Sequence, residues 1–356
     1  MNDTVFSSSE EVRNTPTVAA SDLNHILTHA DLEPLRGQRI FLTGGTGFFG
    51  CWLLESFLHA NRELALDAHA TVLTRDPVGF TARAPHLATS SAITLIAGDV
   101  KSFEFPADHH DLIIHAATDS GGQQARSTPA ELRASITDGT RHTLRFAAAT
   151  GARRLLYTSS GAVYGPQPAD LTHIPETYTG RAASTDIYGS AKLESEDLCL
   201  AQPGLEATIA RCFAFLGPWL PLDAHFAAGN FIRDAIAGTP LHIRGDGTPR
   251  RSYLYSADLM IWLWTLLLYA PAQSIYNVGS DASLSIAELA EATVAALRPG
   301  LEIRIDRTPN AAKPLTRYVP STERAAAELG LTTLIPLHEA IRSTACWHGY
   351  TPTHSF

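Results

Sequence analysis

Phe41-Leu42-Thr43-Gly44-Gly45-Thr46-Gly47-Phe48-Phe49-Gly50 is the stretch that decides the fold. A short apolar strand, Arg39 to Thr43, runs into it. An apolar helix, from about Phe48 to His59, leaves it. The three spaced glycines have separate jobs in such a strand–turn–helix junction. Gly44 permits the tight turn, Gly47 lets the backbone come close to a pyrophosphate, and Gly50 lets the helix pack on the strand. The helix N-terminus then directs its free N–H groups at phosphate. A glycine triad alone is weak evidence, and a plain tight turn would explain it. The strand before it and the helix after it make a dinucleotide site the better reading, with Gly44, Thr46, Gly47, Phe48, Phe49 and Gly50 lining it.

Downstream, short apolar strands alternate with helices. The pattern predicts strands at Ala70–Thr74, Ile93–Ile96, Leu112–His115, Leu155–Ser159 and Ala207–Cys212, and helices at Pro129–Thr150 and Tyr188–Leu200. Repeated β–α alternation argues for an α/β fold: a Rossmann-type, doubly wound parallel sheet covered by helices on both faces. After Phe213, Pro218, Pro221, Gly229, Pro240, Gly245 and Gly247 break up the pattern, which suggests a smaller C-terminal substrate lobe. The expected division is an N-terminal extension over 1–37, a dinucleotide-binding domain over 38–212 to which 255–280 returns, and a substrate lobe built from 213–254 and 281–356. The Ser, Thr, Glu and Asn of residues 1 to about 20 predict disorder. Ser21 to Leu35 reads as a short helix capped by Ser21 or Asp22, packing against the main domain.

Bulk properties narrow the partners. Of 356 residues, 45% are hydrophobic and 18% charged, with a formal net charge of -9. An acidic chain has no general affinity for nucleic acid or anionic membrane, since both need a positive face. An anionic ligand would need a local arginine or a helix N-terminus. Cys51, Cys199, Cys212 and Cys346 form no CxxC pair, so neither a disulfide framework nor a metal site is expected. The polar, acidic start lacks a signal peptide's pattern. The most apolar run, Met260 to Ala270, is too short to span a bilayer and reads as a buried helix. A cytoplasmic location is the default expectation.

The end of the second strand bears on cofactor choice, because an acid there would hold a ribose 2′-hydroxyl. The sequence is Val72-Leu73-Thr74-Arg75-Asp76. Thr74 and Arg75 stand at the strand end, and the Arg75 fork suits a 2′-phosphate, which favours NADP over NAD. In the alternative, Arg75 is a solvated surface residue and Asp76 touches the ribose. Asp99, with Val100 after the third strand, faces adenine or simply caps its loop.

Tyr188-Gly189-Ser190-Ala191-Lys192 places Tyr188 and Lys192 on one helix face. A lysine cation beside a phenol favours phenolate, so Lys192 is expected to lower the Tyr188 pKa toward neutrality. Tyr188 then serves as acid or base between alcohol and ketone. Lys192 would also hold the nicotinamide ribose. A strand ends at Ser159-Ser160, on the edge where α/β sheets present ligands, and Ser160 would bond the same substrate oxygen. A YxxxK spacing alone is common by chance; joined to the glycine turn and this serine it is specific.

Together these pieces resemble the extended short-chain dehydrogenase/reductase family, in its nucleotide-sugar epimerase/dehydratase branch. The matching residues are the TGGTGFFG turn, Asp99, His115-Ala116-Ala117, Ser159-Ser160 with Val163-Tyr164-Gly165, and Tyr188 with Lys192. Further on come Arg211 with Gly217-Pro218, Gly245-Asp246-Gly247 followed by Arg251 to Asp258, and Tyr276-Asn277-Val278-Gly279. The resemblance runs from about Arg39 to about Leu331. It implies NAD or NADP bound also by Ala116 and Ala117, a nucleotide-diphosphate sugar in the C-terminal lobe, hydride transfer at a sugar carbon, usually C4, and a homodimer. Ser160, Tyr188 and Lys192 take the catalytic roles, and Arg251 contacts the substrate diphosphate or, in the alternative, makes a surface salt bridge. Thr118 and Asn230 are further candidates for the substrate.

The chain departs from that pattern at telling places. The dehydratase subgroup carries Thr-Asp-Glu where this chain has Ser160-Gly161-Ala162, so the carboxylates that remove water are missing unless Asp119 or His225 fills in. Ala214 stands where an Asn often follows the strand-end Arg, and Ile136 where another precedes Gly139-Thr140. The leading expectation is a nucleotide-sugar epimerase. The alternatives are an NADPH-dependent 4-ketoreductase, a dehydratase or decarboxylase with non-standard acid and base, and a non-catalytic dinucleotide sensor.

Overall fold

A computed structural model describes residues 17–118, 128–183, 186–224, 226–310 and 314–351. Its centre is a seven-stranded sheet. The strands are β1 (Arg39–Thr43), β2 (His69–Thr74), β3 (Ile93–Ala97), β4 (Leu112–His115), β5 (Arg154–Ser160) and β6 (Glu206–Cys212). Four short strands follow: β7 (Phe215–Leu216), β8 (Leu241–Ile243), β9 (Arg250–Arg251) and β10 (Leu254–Tyr255). The chain then returns to the large sheet with β11 (Ser274–Val278), and β12 (Leu284–Ser285), β13 (Ile303–Ile305) and β14 (Arg317–Tyr318) complete the set.

The sheet order is β11-β6-β5-β4-β1-β2-β3, and every neighbouring pair in it is parallel. This is the Rossmann arrangement, with the order reversing between β1 and β4. Strands β1, β2, β4, β5 and β6 are buried almost end to end rather than on alternate residues. That pattern requires helices over both faces. The covering helices include α1 (Ala20–His29), α2 (Phe48–Glu63), α3 (Pro77–Arg83), α4 (Pro85–Ala88), α5 (Pro129–Thr150) and α6 (Ile187–Leu200). They are followed by α7 (Ala227–Ala237), α8 (Ser256–Tyr269), α9 (Ile286–Leu297), α10 (Glu323–Leu329) and α11 (Leu337–Trp347).

The strand and helix expectations agree with these bounds to within a residue or so, apart from α2, which continues to Glu63, and the helix expected over Ser21 to Leu35, which ends at His29 and is followed by a separate 3-10 turn over Glu33–Leu35. Helix α5 starts and ends where its chemistry says: Thr128 and Glu131 form a capping box, Pro129 fills the first turn, and Gly151 closes it with φ +73°. The apolar run near Met260 is the buried helix α8. Among the described residues no helix is long and apolar enough to cross a membrane. Cys51, Cys199 and Cys212 are buried free thiols, whereas Cys346 is exposed.

Helix α1 does pack against the main body, but its cap differs from expectation. Ala19 occupies the N-cap and no side chain bonds there. Asp22 instead accepts the Tyr255 hydroxyl at 2.6 Å. His25 reaches Asp258 at 2.9 Å, and Asp258 also accepts the amides of Leu334 at 2.8 Å and Ile335 at 2.9 Å. A buried tyrosine hydroxyl needs an acceptor, and that need outweighs the gain from capping a surface helix. Residues 1–16, Asp119 and His225 lie outside the described residues.

Candidate active site

The glycine turn is built as its sequence requires. Gly44 takes φ +75°, and a Cβ there would lie 2.4 Å from the Ala116 carbonyl oxygen. A Cβ on Gly50 would lie 2.3 Å from the Gly44 carbonyl oxygen. So β1, β4 and the start of α2 are packed backbone to backbone, and only glycine fits. Gly47 is the N-cap of α2 and has no side chain to cap it, which leaves first-turn N–H groups for a ligand. Its own Cβ position meets only the Gly44 carbonyl oxygen, at 3.5 Å, so the cradle is open on that side. Phe48 and Phe49 are partly buried, and the Phe49 ring packs edge-on against Phe215 at 5.1 Å. Thr43 ties the floor together: its hydroxyl bonds the Ala117 amide at 3.1 Å and His115 Nδ1 at 2.7 Å. Burial and the Lys192 charge push His115 down to about 3, so the imidazole is neutral. These residues fit a dinucleotide pyrophosphate.

At the end of β2, Thr74 is buried and Arg75 exposed. Asp76 is committed elsewhere: its carboxylate caps α3 by accepting the Gly79 amide at 2.8 Å. Asp99 caps its loop, accepting the Lys101 amide at 2.9 Å. Val100 faces α5, where a Cβ on Gly139 would lie 2.9 Å from its Cγ1.

Ser160, Tyr188 and Lys192 meet at the carboxyl edge of the sheet. Ser160 is the last residue of β5 and pairs with Cys212 of β6. Its hydroxyl accepts the Ala162 amide at 3.2 Å, capping a 3-10 turn over Gly161–Tyr164. Tyr188 lies in the first turn of α6, whose start is capped by Asp186 on the Gly189 amide at 3.0 Å.

The acidity of Tyr188 departs from expectation. Burial pushes the phenol up to about 12; the Ser160 hydroxyl is the neighbour that favours its ionised form, while Cys212 and Asp186 oppose it. Lys192 directs its ammonium elsewhere. The Nζ donates to the Thr158 carbonyl at 2.8 Å and lies 4.8 Å over the Tyr157 ring. Burial lowers Lys192 itself to about 8. Four-residue spacing sets a shared helix face, but it does not aim the ammonium.

Two residues that no motif marked complete the site. Tyr318 of β14 places its hydroxyl 3.2 Å from Ser160 Oγ and 3.4 Å from the Cys212 carbonyl oxygen. Phe213 packs at a tilt against Tyr318 with ring centroids 4.6 Å apart, and its ring fills the space beside Gly161, where a Cβ would lie 2.6 Å from Phe213 Cζ. Arg251 pairs in register with Tyr318, and its guanidinium lies 5.8 Å from the Tyr318 ring centre. The surface salt bridge considered for Arg251 is not formed: among the described residues no carboxylate pairs with it, and its NH1 donates to the Arg250 carbonyl at 2.8 Å. Arg250 takes the ion pair instead, with Glu288 at 3.1 Å.

Thr118 Oγ1 is buried with no hydrogen-bond partner among the described residues, as a group awaiting a ligand would be. Asn230 lies in the first turn of α7, where its side-chain oxygen accepts from Arg233 at 3.2 Å. Beneath the site, Arg211 and Glu196 form a buried ion pair at 2.6 Å, and Ser159 donates to Glu196. Among the described residues no cluster of His, Cys, Asp or Glu could hold a metal.

The chain is similar to several known proteins. The UDP-glucuronic acid decarboxylase 1 of Xenopus tropicalis is 28% identical over 314 residues, covering 86% of this chain and 71% of that protein. A dTDP-glucose 4,6-dehydratase from Streptomyces venezuelae, solved with NAD bound, superposes with TM-score 0.74 at 22% identity, over 87% of this chain and 96% of that one. The UDP-glucose 4-epimerase of Thermotoga maritima, solved with UDP-glucose, superposes with TM-score 0.72 at 18% identity, over 87% of this chain and 98% of that one. The family model described as "NAD dependent epimerase/dehydratase family" matches residues 40–279. The chain is an enzyme of the NAD-dependent epimerase/dehydratase family.

Proposed function

We propose that this enzyme is an NAD(P)-dependent nucleotide-sugar epimerase that oxidises a sugar hydroxyl, at C4, and returns the hydride to the opposite face of the ketone. One observation carries the reading. Ser160, Tyr188 and Lys192 stand together at the sheet edge, and the Phe213 ring fills the space where the dehydratase pattern puts a carboxylate at Gly161. The described carboxylates nearby are committed: Asp186 to the start of α6, Glu196 to Arg211, and Glu176 to the Asn277 amide at 2.7 Å. Hydroxyl groups alone suffice for alcohol–ketone interconversion, whereas loss of water needs an added acid and base.

NAD(P) supplies the hydride acceptor and donor. Gly44, Thr46, Gly47, Phe48, Phe49, Gly50, Ala116 and Ala117 would hold its pyrophosphate, and Thr74, Arg75, Asp99 and Val100 its adenosine end. Tyr188 takes the proton of the sugar hydroxyl and later gives it back. Ser160 donates to the same oxygen, Lys192 holds the ribose, and Arg251 and Thr118 hold the nucleotide-diphosphate sugar. Asn230, in the first turn of α7, is a further candidate for the same ligand. Arg75 at the end of β2 supports NADP, and with it the second reading, a 4-ketoreductase that consumes NADPH.

Tyr188→Phe should cut turnover by about 10²–10⁴-fold while cofactor still binds, measured by product formation and by dinucleotide retention. Undiminished turnover would remove Tyr188 from the chemistry. The dinucleotide released on denaturing the purified protein separates the two readings: an epimerase recycles and retains its cofactor, and a reductase exchanges it.

A further inference from the structure

Ser160 has two phenols for neighbours. Tyr188 is one, and Tyr318, brought from a distant segment, is the other, its hydroxyl 3.2 Å from Ser160 Oγ. A serine hydroxyl has one proton and two acceptor lone pairs. One lone pair of Ser160 is occupied by the Ala162 amide at 3.2 Å. The contact with Tyr318, also 3.2 Å, can run either way. A phenol is a far stronger acid than an aliphatic hydroxyl and is the better donor of the two. Its alternative acceptor, the Cys212 carbonyl, is farther off at 3.4 Å.

We propose that Tyr318 is a positioning residue for the catalytic serine: its hydroxyl donates to Ser160, fills the second lone pair, and leaves the Ser160 proton with only one place to go, toward Tyr188 and the substrate oxygen beside it. Ser160 is thereby fixed as a donor to whichever oxygen carries negative charge, the Tyr188 phenolate or the substrate oxygen. Burial holds the Tyr318 phenol well above its ordinary range, so it stays protonated and able to donate at neutral pH. Tyr318 is also the register partner of Arg251, and its ring is braced by Phe213 at 4.6 Å. The hydroxyl that sets the serine is thus carried on the same short sheet as the arginine proposed to hold the substrate diphosphate. The inference rests on Tyr188 as the proton-handling group, but not on which sugar the enzyme turns over.

The test is a titration that needs no substrate. Tyr188 is replaced by 3-fluorotyrosine at that one position, and its ionisation is followed by fluorine NMR with NAD added. Tyr318→Phe, which removes one oxygen and keeps the ring, should raise the Tyr188 midpoint by roughly half a unit to one unit, the worth of one hydrogen bond near the ionising group. Ser160→Ala should raise it too, and in that background Tyr318→Phe should add nothing, because its effect passes through the serine. An unchanged midpoint in Tyr318→Phe, or an equal shift with and without Ser160, would overturn the proposal. Failure of the epimerase reading would show instead as absent turnover of nucleotide sugars with this titration unaffected.

Discussion

Lys192 is 2% exposed, and burial draws its pKa from 10.5 down to about 8. The unfolded chain therefore binds the Lys192 proton between those values while the folded chain has released it. Stability must then rise with pH through that window and be lost again as pH falls through about 8. The shift is worth on the order of 3 kcal/mol. Lys192→Gln should flatten the rise: the difference in urea unfolding free energy between variant and parent should change between pH 7.5 and pH 10, in favour of the parent. A constant difference would show that the ammonium is not held as described. Arg75 makes a second prediction. If it clamps a 2′-phosphate, Arg75→Ala weakens NADP binding by about tenfold or more and leaves NAD nearly untouched, read by calorimetry; equal losses would remove that role. Ser160, Tyr188 and Lys192 were legible from the sequence because strand ends and helix periodicity determine where they sit. The direction of the Lys192 ammonium was not, because the Thr158 carbonyl that takes it is fixed by the sheet and not by any spacing along α6.

Helix α2 shows how far a local pattern reaches. Its glycines mark the turn in the sequence, and the structure shows the reason: Gly50 rests on the backbone of Gly44 and Gly45, with a Cβ position 2.3 Å from each. Backbone cannot move aside as a flexible side chain can. Gly50→Ala should therefore cost roughly 1–3 kcal/mol of stability and release cofactor, measured by thermal unfolding and by dinucleotide content. A stable variant with full cofactor would mean that the turn has slack. The short strands behaved differently. Nothing in Arg317-Tyr318 announces a strand, because a two-residue pairing has no period to read. Tyr318 was invisible for that reason, and so was the Phe213 ring beside Gly161, since a filled space is a property of two distant segments. Asp22 shows the same limit: it lies in the first turn of α1 and looks like a cap, yet Tyr255 takes it.

At the scale of the whole molecule, the site draws on residues from Thr43 to Tyr318 that share one sheet edge. The seven-stranded sheet supplies the glycine turn, Ser160 and, through α6, the Tyr188–Lys192 pair. The later segments supply Phe213, Arg251 and Tyr318. The fold was readable because alternating strands and helices have only a few right-handed solutions. The reaction was readable only in part, because it depends on which side chains fill the gap beside Ser160. The described site presents hydroxyls there and no uncommitted carboxylate. Purified enzyme incubated with UDP-glucose, UDP-glucuronic acid and dTDP-glucose, with products resolved by chromatography and mass spectrometry, tests this most directly. The account predicts a new isomer of unchanged mass from at least one of them. A product that has lost water or carbon dioxide, or gained two hydrogens, would contradict it.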